Sequence, residues 1–158
     1  MMDYRIEELE AFIVVGQAIQ LMNSQKHNIE LSKRFWKQFN QNIKKAYLFQ
    51  GYHWTKYAFM IRRNNQLYYY CALPDQGKVP EHFFRQNIIK QKYLVFEHIG
   101  HMNNIYTTYN HIYLEVIPHC PYQVNKEHFL HFEKYDFRFH WNRPDSIIEI
   151  WIPILDIQ

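Results

Sequence analysis

Several features are scarce in this chain of 158 residues, and each scarcity excludes a class of protein. Glycine occurs only four times, and no glycine-rich loop that could hold a nucleotide phosphate is present. The two cysteines, Cys71 and Cys120, form neither a C-x-x-C pair nor a disulfide framework. No dense block of lysine and arginine accompanies the net charge of +3, so a nucleic-acid footprint is not indicated.

Long apolar runs and metal-binding motifs are also missing. The N-terminus is acidic and its apolar run is short, so we predict neither a signal peptide nor a membrane span, and we expect a cytoplasmic protein. The ten histidines form no H-E-x-x-H motif and no Cys/His cluster. We therefore expect no metal and no cofactor.

Aromatic residues, by contrast, are abundant. They make up 18% of the chain, as 13 Tyr, 12 Phe and 4 Trp, within a hydrophobic fraction of 47%. Tyrosine is amphipathic, so a surplus of it favours surfaces that are partly wet and partly apolar, such as a ligand pocket. The length suits a single domain over residues 1–158.

The order of predicted elements repeats once along the chain, in about residues 1–80 and 81–158. Each half begins with a short strand and then an apolar strand that ends at a glycine, Gly16 or Gly100. An amphipathic helix and a hairpin follow, and a proline closes each hairpin. The predicted strands are 4–7, 12–16, 57–61 and 67–73 in the first half, and 84–88, 96–100, 132–140 and 147–152 in the second.

The two predicted helices show apolar residues at helical spacing. Pro118 is expected to end the second helix. The sequence therefore predicts an α+β fold, a duplicated strand-strand-helix-strand-strand repeat with antiparallel sheets and the helices on one side. The helical stripes are Leu31, Phe35, Phe39 and Ile43 in the first helix, and Ile105, Tyr109, Ile112, Tyr113 and Val116 in the second.

Two helices can cover only one face of eight strands. The predicted strands are nevertheless apolar or aromatic on both faces, so the uncovered face must contact something. One option is a ligand groove between the two halves. We therefore expect a central groove on the face that the helices leave open.

The last predicted strand, SIIEIWIPI, carries a carboxylate among apolar residues. Because side chains alternate in a strand, Ile147, Glu149 and Trp151 share one face, and the remaining isoleucines face the helices. A buried carboxylate without a partner costs several kcal/mol. Glu149 therefore points to water, pairs with a lysine or arginine, or meets a cationic ligand.

Four residues could converge on such a groove. Aligning the prolines that close the two hairpins places Tyr70 opposite Glu149 and Tyr68 opposite Ile147. Glu149, Trp151 and the two tyrosines would then form one site. Aromatic walls and a recessed carboxylate suit a lipophilic cation, through cation–π attraction and a counter-charge that strengthens as water is excluded.

Five segments in a fixed order carry a family resemblance: YRIEELEAFIVVG, RFWKQFNQNI, YLVFEHIG, FEKYDFRF and IIEIWIPI. Together they resemble the GyrI-like effector-binding family. That family includes a gyrase-inhibitory protein, ligand domains of multidrug-responsive regulators of the AraC and MerR types, and stand-alone binders encoded in integron cassettes. The resemblance implies a drug-sized pocket between the repeats, with a glutamate in the last strand that falls on Glu149.

The resemblance also implies aromatic pocket walls, which carry over to Trp151, Tyr70, Trp36 and Phe137. Trp36 follows the core stripe by one residue, about 100° around the helix, and is expected to approach the same groove as Glu149. The chain leaves no room for a helix-turn-helix domain beside the binding domain. We therefore expect a stand-alone binder that does not contact nucleic acid or membrane directly and whose protein partner, if any, is unknown.

Three functions remain open. The leading interpretation is a binding protein for lipophilic, often cationic aromatic small molecules, used in multidrug sequestration or sensing. The alternative is a hydrolase of electrophilic, cyclopropane-type toxins with Glu149 as general base, and this would need a second polar group to orient water, which the sequence does not identify. The third is an inhibitory contact with another protein through the surface.

Overall fold

The computed structural model describes residues 2–155, and there the predicted α+β class is confirmed. A long helix α1 (Gln25–Lys45) lies between the second and third strands. A second helical segment, residues 102–119, contains the short helix α2 (Ile105–Asn110), a π-helical turn and flanking 3-10 turns. The strands are β1 (Arg5–Leu9), β2 (Phe12–Gln20), β3 (Lys56–Arg63), β4 (Gln66–Pro74), β5 (Phe84–Ile88), β6 (Gln91–Ile99), β7 (His131–Tyr135) and β8 (Ile147–Ile154).

The eight strands form one antiparallel sheet in the order β1-β6-β8-β7-β3-β4-β2-β5. Strands β1 to β4 have β5 to β8 as their counterparts, in that order. When each strand is replaced by its counterpart, the strand order of the sheet reads in reverse, so the two halves of the sheet have the same arrangement. Strands β3 and β7 pair at the centre. The first strand of each half pairs within the other half, β1 with β6 and β5 with β2. A single domain over 1–158 with two repeats stays a prediction, and residues 1 and 156–158 lie outside the described part.

Both helical segments pack on the same face of the sheet, as predicted. Ile148, Ile150 and Ile152 of β8 are buried on this face. Phe39 and Ile43 of α1 belong to the same core. Neither helical segment within residues 2–155 combines the length and the hydrophobicity needed to cross a membrane.

The opposite face is largely filled by its own aromatic side chains. The ring of Phe12 in β2 lies 6.4 Å from the ring of Phe132 in β7, although β3 and β4 lie between these strands. Neighbouring strands are about 4.8 Å apart, so three steps across a flat sheet span about 14 Å. The sheet therefore curls toward this face, and the aromatic rings fill the concave side.

Several predicted boundaries differ from the structure, and β6, for example, begins at Gln91 rather than at residue 96. Strand β7 ends at Tyr135 rather than at residue 140, because the Asp136 carboxylate accepts a hydrogen bond from the backbone N–H of Arg138 and forms a local turn. Strand β2 continues past Gly16 to Gln20. A Cβ at position 16 would lie 1.9 Å from the carbonyl oxygen of Cys71, so this glycine allows close approach of β4 instead of ending the strand.

Candidate functional site

A cavity of about 300 Å³ lies between the two helical segments and the central strands of the sheet. Its walls come from α1, from the second helical segment and from the loop before β8. Its floor is made by β3, β4 and β7, and β3 and β7 are the strands where the two halves of the sheet meet. The aromatic lining residues are Trp36, Tyr69, Tyr106, Tyr109, Tyr113, Tyr135 and Trp141.

Glu133 lies on the floor of this cavity and is only 6% exposed. Alternation along β7 directs Glu133 and Tyr135 toward the helices, and Phe132 toward the opposite face. Across the ladder, Glu133 is opposite Ala58 of β3, whose small side chain leaves space beside the carboxylate. The strand geometry thus buries a carboxylate beneath an aromatic cavity.

Three tyrosine hydroxyls donate hydrogen bonds to the Glu133 carboxylate. Tyr135 and Tyr69 donate to Oε1 at 2.6 and 3.3 Å, and Tyr109 donates to Oε2 at 2.5 Å. The Trp36 Nε1–H in turn donates to the Tyr69 hydroxyl at 2.9 Å. Four elements, α1, β4, α2 and β7, therefore converge on one carboxylate and fix its orientation.

Glu133 has no basic partner in the part of the chain that the structure describes. Among residues 2–155, no lysine, arginine or histidine forms an ion pair with this carboxylate. Burial raises the pKa of Glu133, and the hydrogen bonds from Tyr109, Tyr135 and Tyr69 offset that rise only in part. The cavity floor is therefore a site where a negative charge is costly unless a positive charge enters.

His131 lies in the same cavity but supplies no positive charge. Its Nδ1 and the Tyr113 hydroxyl share a hydrogen bond at 2.9 Å, and its ring lies 4.7 Å from the ring of Tyr109. Burial lowers the pKa of His131 to about 3, so the imidazole is neutral at physiological pH. Within the described residues, no group of three or more His, Cys, Asp or Glu side chains is arranged to hold a metal ion.

Glu149 lies on the opposite face of the sheet and is already paired. Its Oε2 accepts hydrogen bonds from Arg5 at 2.9 Å and Arg138 at 3.1 Å, and its Oε1 accepts one from the Trp151 indole at 3.0 Å. Burial alone would raise the pKa of Glu149, but the hydrogen bonds from Arg5, Arg138 and Trp151 together lower it. Of the three alternatives that the sequence left open, the structure shows pairing with arginine.

The expected convergence of six residues on one groove needs correction. Trp36 lines the Glu133 cavity and not, as expected, a groove shared with Glu149, because the sheet lies between the two residues. Trp151 lines a more open depression on the opposite face, and Tyr70 donates to the carbonyl oxygen of Phe84 on that side. Strand alternation places Tyr68 on the face of Tyr70.

Phe137 falls in the loop after β7, where it is 46% exposed and stacks on Tyr52. The structure therefore brings one of the six residues to the cavity and places the other five elsewhere. Ligand contact by any of the six stays a prediction.

Sequence reasoning missed Glu133 and the three tyrosines that donate to it. The alternation argument used for β8 also applies to FEKY, where it places Glu133 and Tyr135 on one face. Three glutamates lie in apolar strands, Glu97, Glu133 and Glu149. The strand pattern alone does not indicate which of them lies in a cavity. The decisive partner of Glu149 is Arg5, which lies 144 residues away in sequence, so no local signal could identify it.

Comparison with solved structures defines the class of protein. The chain is similar to SAV2435 bound to tetraphenylphosphonium, with 19% identity, a TM-score of 0.79 and coverage of 98% of this chain and 94% of that chain. It is also similar to the integron cassette protein VCH_CASS2 from Vibrio cholerae, with 17% identity, a TM-score of 0.65 and coverage of 96% and 95%. The C-terminal domain of EcmrR matches at 18% identity, with a TM-score of 0.67 and coverage of 99% of each chain.

At these identities the likeness concerns the fold, which is that of a GyrI-like effector-binding domain. The chain itself belongs to the Cass2 family of integron-associated effector binding proteins, which matches residues 5–154. No curated protein matches the chain significantly in sequence. The GyrI-like resemblance of the sequence is thereby confirmed.

Proposed function

We propose that this protein binds lipophilic cations with aromatic groups in the Glu133 cavity. The observation that carries the proposal is a buried carboxylate that three tyrosine hydroxyls orient and that has no basic partner in residues 2–155. Membership of an effector-binding family supports a small-molecule ligand. The tetraphenylphosphonium complex of SAV2435 supports a cationic one, by analogy of fold.

The cavity offers such a cation two kinds of attraction. The faces of Trp36, Tyr106 and the other rings can each contribute about 0.5–2 kcal/mol by cation–π contact, depending on desolvation. The Glu133 carboxylate acts in a region from which water is largely excluded, where the attraction between opposite charges is stronger than in bulk water. The cation removes the cost of burying that carboxylate without a partner, so ligand and protein each neutralise the other.

Aromatic walls tolerate ligands of different shape, because ring faces impose little directional hydrogen bonding. We therefore propose that several cationic drugs share this cavity, and that the protein sequesters or senses them in the cytoplasm.

The direct test is a comparison of charged and neutral ligands on a Glu133→Gln variant. Tetraphenylphosphonium is the cation, and triphenylphosphine oxide is the neutral aromatic control. Glu133→Gln keeps the shape of the side chain but removes its charge. It should therefore weaken the binding of tetraphenylphosphonium by about 1–3 kcal/mol, or roughly tenfold to a hundredfold in affinity. The affinity for triphenylphosphine oxide should change by less than about threefold, as measured by isothermal titration calorimetry.

Glu149→Gln is the matched control, since Glu149 is a buried glutamate on the opposite face of the same sheet. Its tetraphenylphosphonium affinity should match the wild type once circular dichroism shows that the variant is folded. Equal losses of affinity for both ligands in Glu133→Gln would mean that Glu133 contributes to the shape of the cavity and that its charge does not attract the ligand. A selective loss of cation affinity in Glu149→Gln instead would restore the site first inferred from the sequence.

A hydrolase is the second candidate function, because a buried carboxyl with a raised pKa can act as a general base. Both oxygens of Glu133 already accept tyrosine hydroxyls, which leaves little capacity for an attacking water, and we therefore favour binding. Mass spectrometry of an electrophilic cyclopropane compound, incubated with wild type and with Glu133→Gln, distinguishes the two. Hydrolysis by the wild type alone would establish the hydrolase.

A further inference from the structure

The Glu133 cavity has a neighbouring compartment of about 360 Å³ that the proposed function does not use. Half of the residues that line this compartment also line the first, so the two adjoin along a shared wall. The shared wall consists of Lys33, Trp36, Tyr135 and Trp141. The residues that line the second compartment but not the first are Asn40, Trp54, Lys56 and Phe139.

The second compartment is positively charged, whereas the floor of the first carries a carboxylate. Lys56 is half-buried, lies over the Trp54 ring at 5.4 Å, and donates to Asn40 Oδ1 at 2.7 Å. No carboxylate in residues 2–155 forms an ion pair with it. Burial lowers the pKa of Lys56, as expected for an ammonium group without a counter-charge.

Lys33 adds a second positive charge at the shared wall. Its ammonium lies over the Trp141 ring at 5.2 Å. Its nearest carboxylate is that of Glu30 at 3.9 Å, and the Glu30 side chain is 69% exposed. The wall between the compartments therefore presents a cation held by an aromatic ring and only weakly neutralised.

Register within the sheet places the two oppositely charged residues near each other on one face. Lys56 of β3 is paired with Tyr135 of β7, and Ala58 is paired with Glu133, so Lys56 and Glu133 are diagonal neighbours on the same face. Diagonal neighbours in an antiparallel pair are about 7–8 Å apart, and their Cβ atoms are somewhat closer. Tyr135 pairs with Lys56 across the ladder and donates a hydrogen bond to Glu133, so this tyrosine adjoins both charged residues.

We propose that the second compartment binds the acidic end of the ligand, so that the preferred ligands are aromatic zwitterions. Resting on the proposed function, this places the cationic group against Glu133 and a carboxylate against Lys56. The Lys56 ammonium has three donors and uses one on Asn40, which leaves two for a carboxylate. Trp36 and Tyr135 line both compartments and would hold the aromatic body between the charges.

The test uses two dyes that differ only at one carboxyl group, rhodamine 110 with the free acid and rhodamine 123 with the methyl ester. Lys56→Met removes the ammonium and keeps the length of the side chain. This substitution should weaken the binding of the free acid about tenfold and the binding of the ester less than twofold, as measured by fluorescence anisotropy. Lys45→Met, at an exposed position near the end of α1, is the matched control and should change neither dye.

Lys56→Arg keeps the charge and should retain the affinity for the free acid within about threefold, which separates charge from packing. An equal effect of Lys56→Met on both dyes, or no effect on either, would overturn the inference. Glu133→Gln tests the proposed function separately, since it should weaken the binding of both dyes. Failure of both dyes to bind the wild type would overturn the proposed function and this inference with it.

Discussion

At the scale of single residues, two buried glutamates on adjacent strands have opposite electrostatic surroundings. Glu133 in β7 is held by neutral tyrosine hydroxyls, and burial raises its pKa. Glu149 in β8 is also buried, but Arg5 and Arg138 overcome the effect of burial and lower its pKa. We therefore propose that Glu133 receives a ligand and that Glu149 stabilises the fold.

Glu133→Gln should stabilise the protein without ligand at neutral pH. Because the folded-state pKa of Glu133 is raised above its ordinary value of 4.5, the folded state holds this proton more tightly than the unfolded state. Wild-type stability therefore falls as pH rises from about 4.5 through the folded-state pKa, and the glutamine variant lacks this loss. Urea unfolding should show a stability advantage of Glu133→Gln that grows between pH 4.5 and 8, and a less stable variant at pH 8 would contradict the assignment.

Glu149→Gln should have the opposite effect. Loss of the charge weakens the hydrogen bonds from Arg5 and Arg138 and should lower the free energy of unfolding at pH 7 by about 1–3 kcal/mol. The folded-state pKa is depressed, so this stabilisation is present above about pH 4.5 and is lost as pH falls through the folded-state pKa.

The more exposed Glu97, which contacts Arg138 at 3.5 Å, provides the control for Glu149→Gln. Glu97→Gln should cost less than about 1 kcal/mol in the same urea unfolding measurement at pH 7. A cost as large as that of Glu149→Gln, or a Glu149→Gln deficit that does not shrink as the pH falls below about 4.5, would contradict the stabilising role of the arginine pairs.

At the scale of elements, strand alternation was enough to predict which face of β8 meets the helices, because every second residue there is isoleucine. It could not predict which face holds the cavity. That depends on the curl of the sheet, which lets side chains from non-adjacent strands fill the uncovered face. The turn that ends β7 at Tyr135 depends on one hydrogen bond to the Asp136 side chain, so a pattern of apolar residues could not predict it.

The close approach of β2 and β4 makes Gly16 an informative position. A Cβ there would meet backbone at 1.9 Å and the Ala72 side chain at 2.8 Å, so Gly16→Ala must displace one strand. We expect a loss of about 1–3 kcal/mol or more in the free energy of unfolding, measured with urea. Gly51→Ala is the control, because a Cβ at Gly51 meets nothing within 4 Å, and equal effects of the two substitutions would contradict the packing of these strands.

At the scale of the whole molecule, the sequence predicted the repeated order of elements but not their pairing. The pairing of β1 with β6 and of β5 with β2 joins segments more than 60 residues apart, which no local pattern encodes. The same arrangement brings β3 and β7 together at the centre, and it is there that the cavity and Glu133 lie. The site is thus a product of the complete fold and of no single segment.

The protonation state of the complete molecule should therefore depend on what occupies the cavity. Burial raises the pKa of Glu133 in the empty protein, and a bound cation should lower it again. Binding of a permanent cation then releases a proton at pH values between the pKa of the bound protein and that of the empty protein, and affinity falls as pH decreases through this range. His131 remains neutral down to about pH 3 and does not contribute near neutrality.

Proton release on tetraphenylphosphonium binding tests this account most directly. It is measured by isothermal titration calorimetry at one pH in buffers of different ionisation enthalpy, and repeated between pH 4.5 and 8. The wild type should release up to one proton per ligand where the pH lies between the Glu133 pKa values of the bound and the empty protein, and fewer above that range, and Glu133→Gln should release none. Binding without proton release at every pH, or equal release by wild type and Glu133→Gln, would contradict the assignment of Glu133 as the counter-charge.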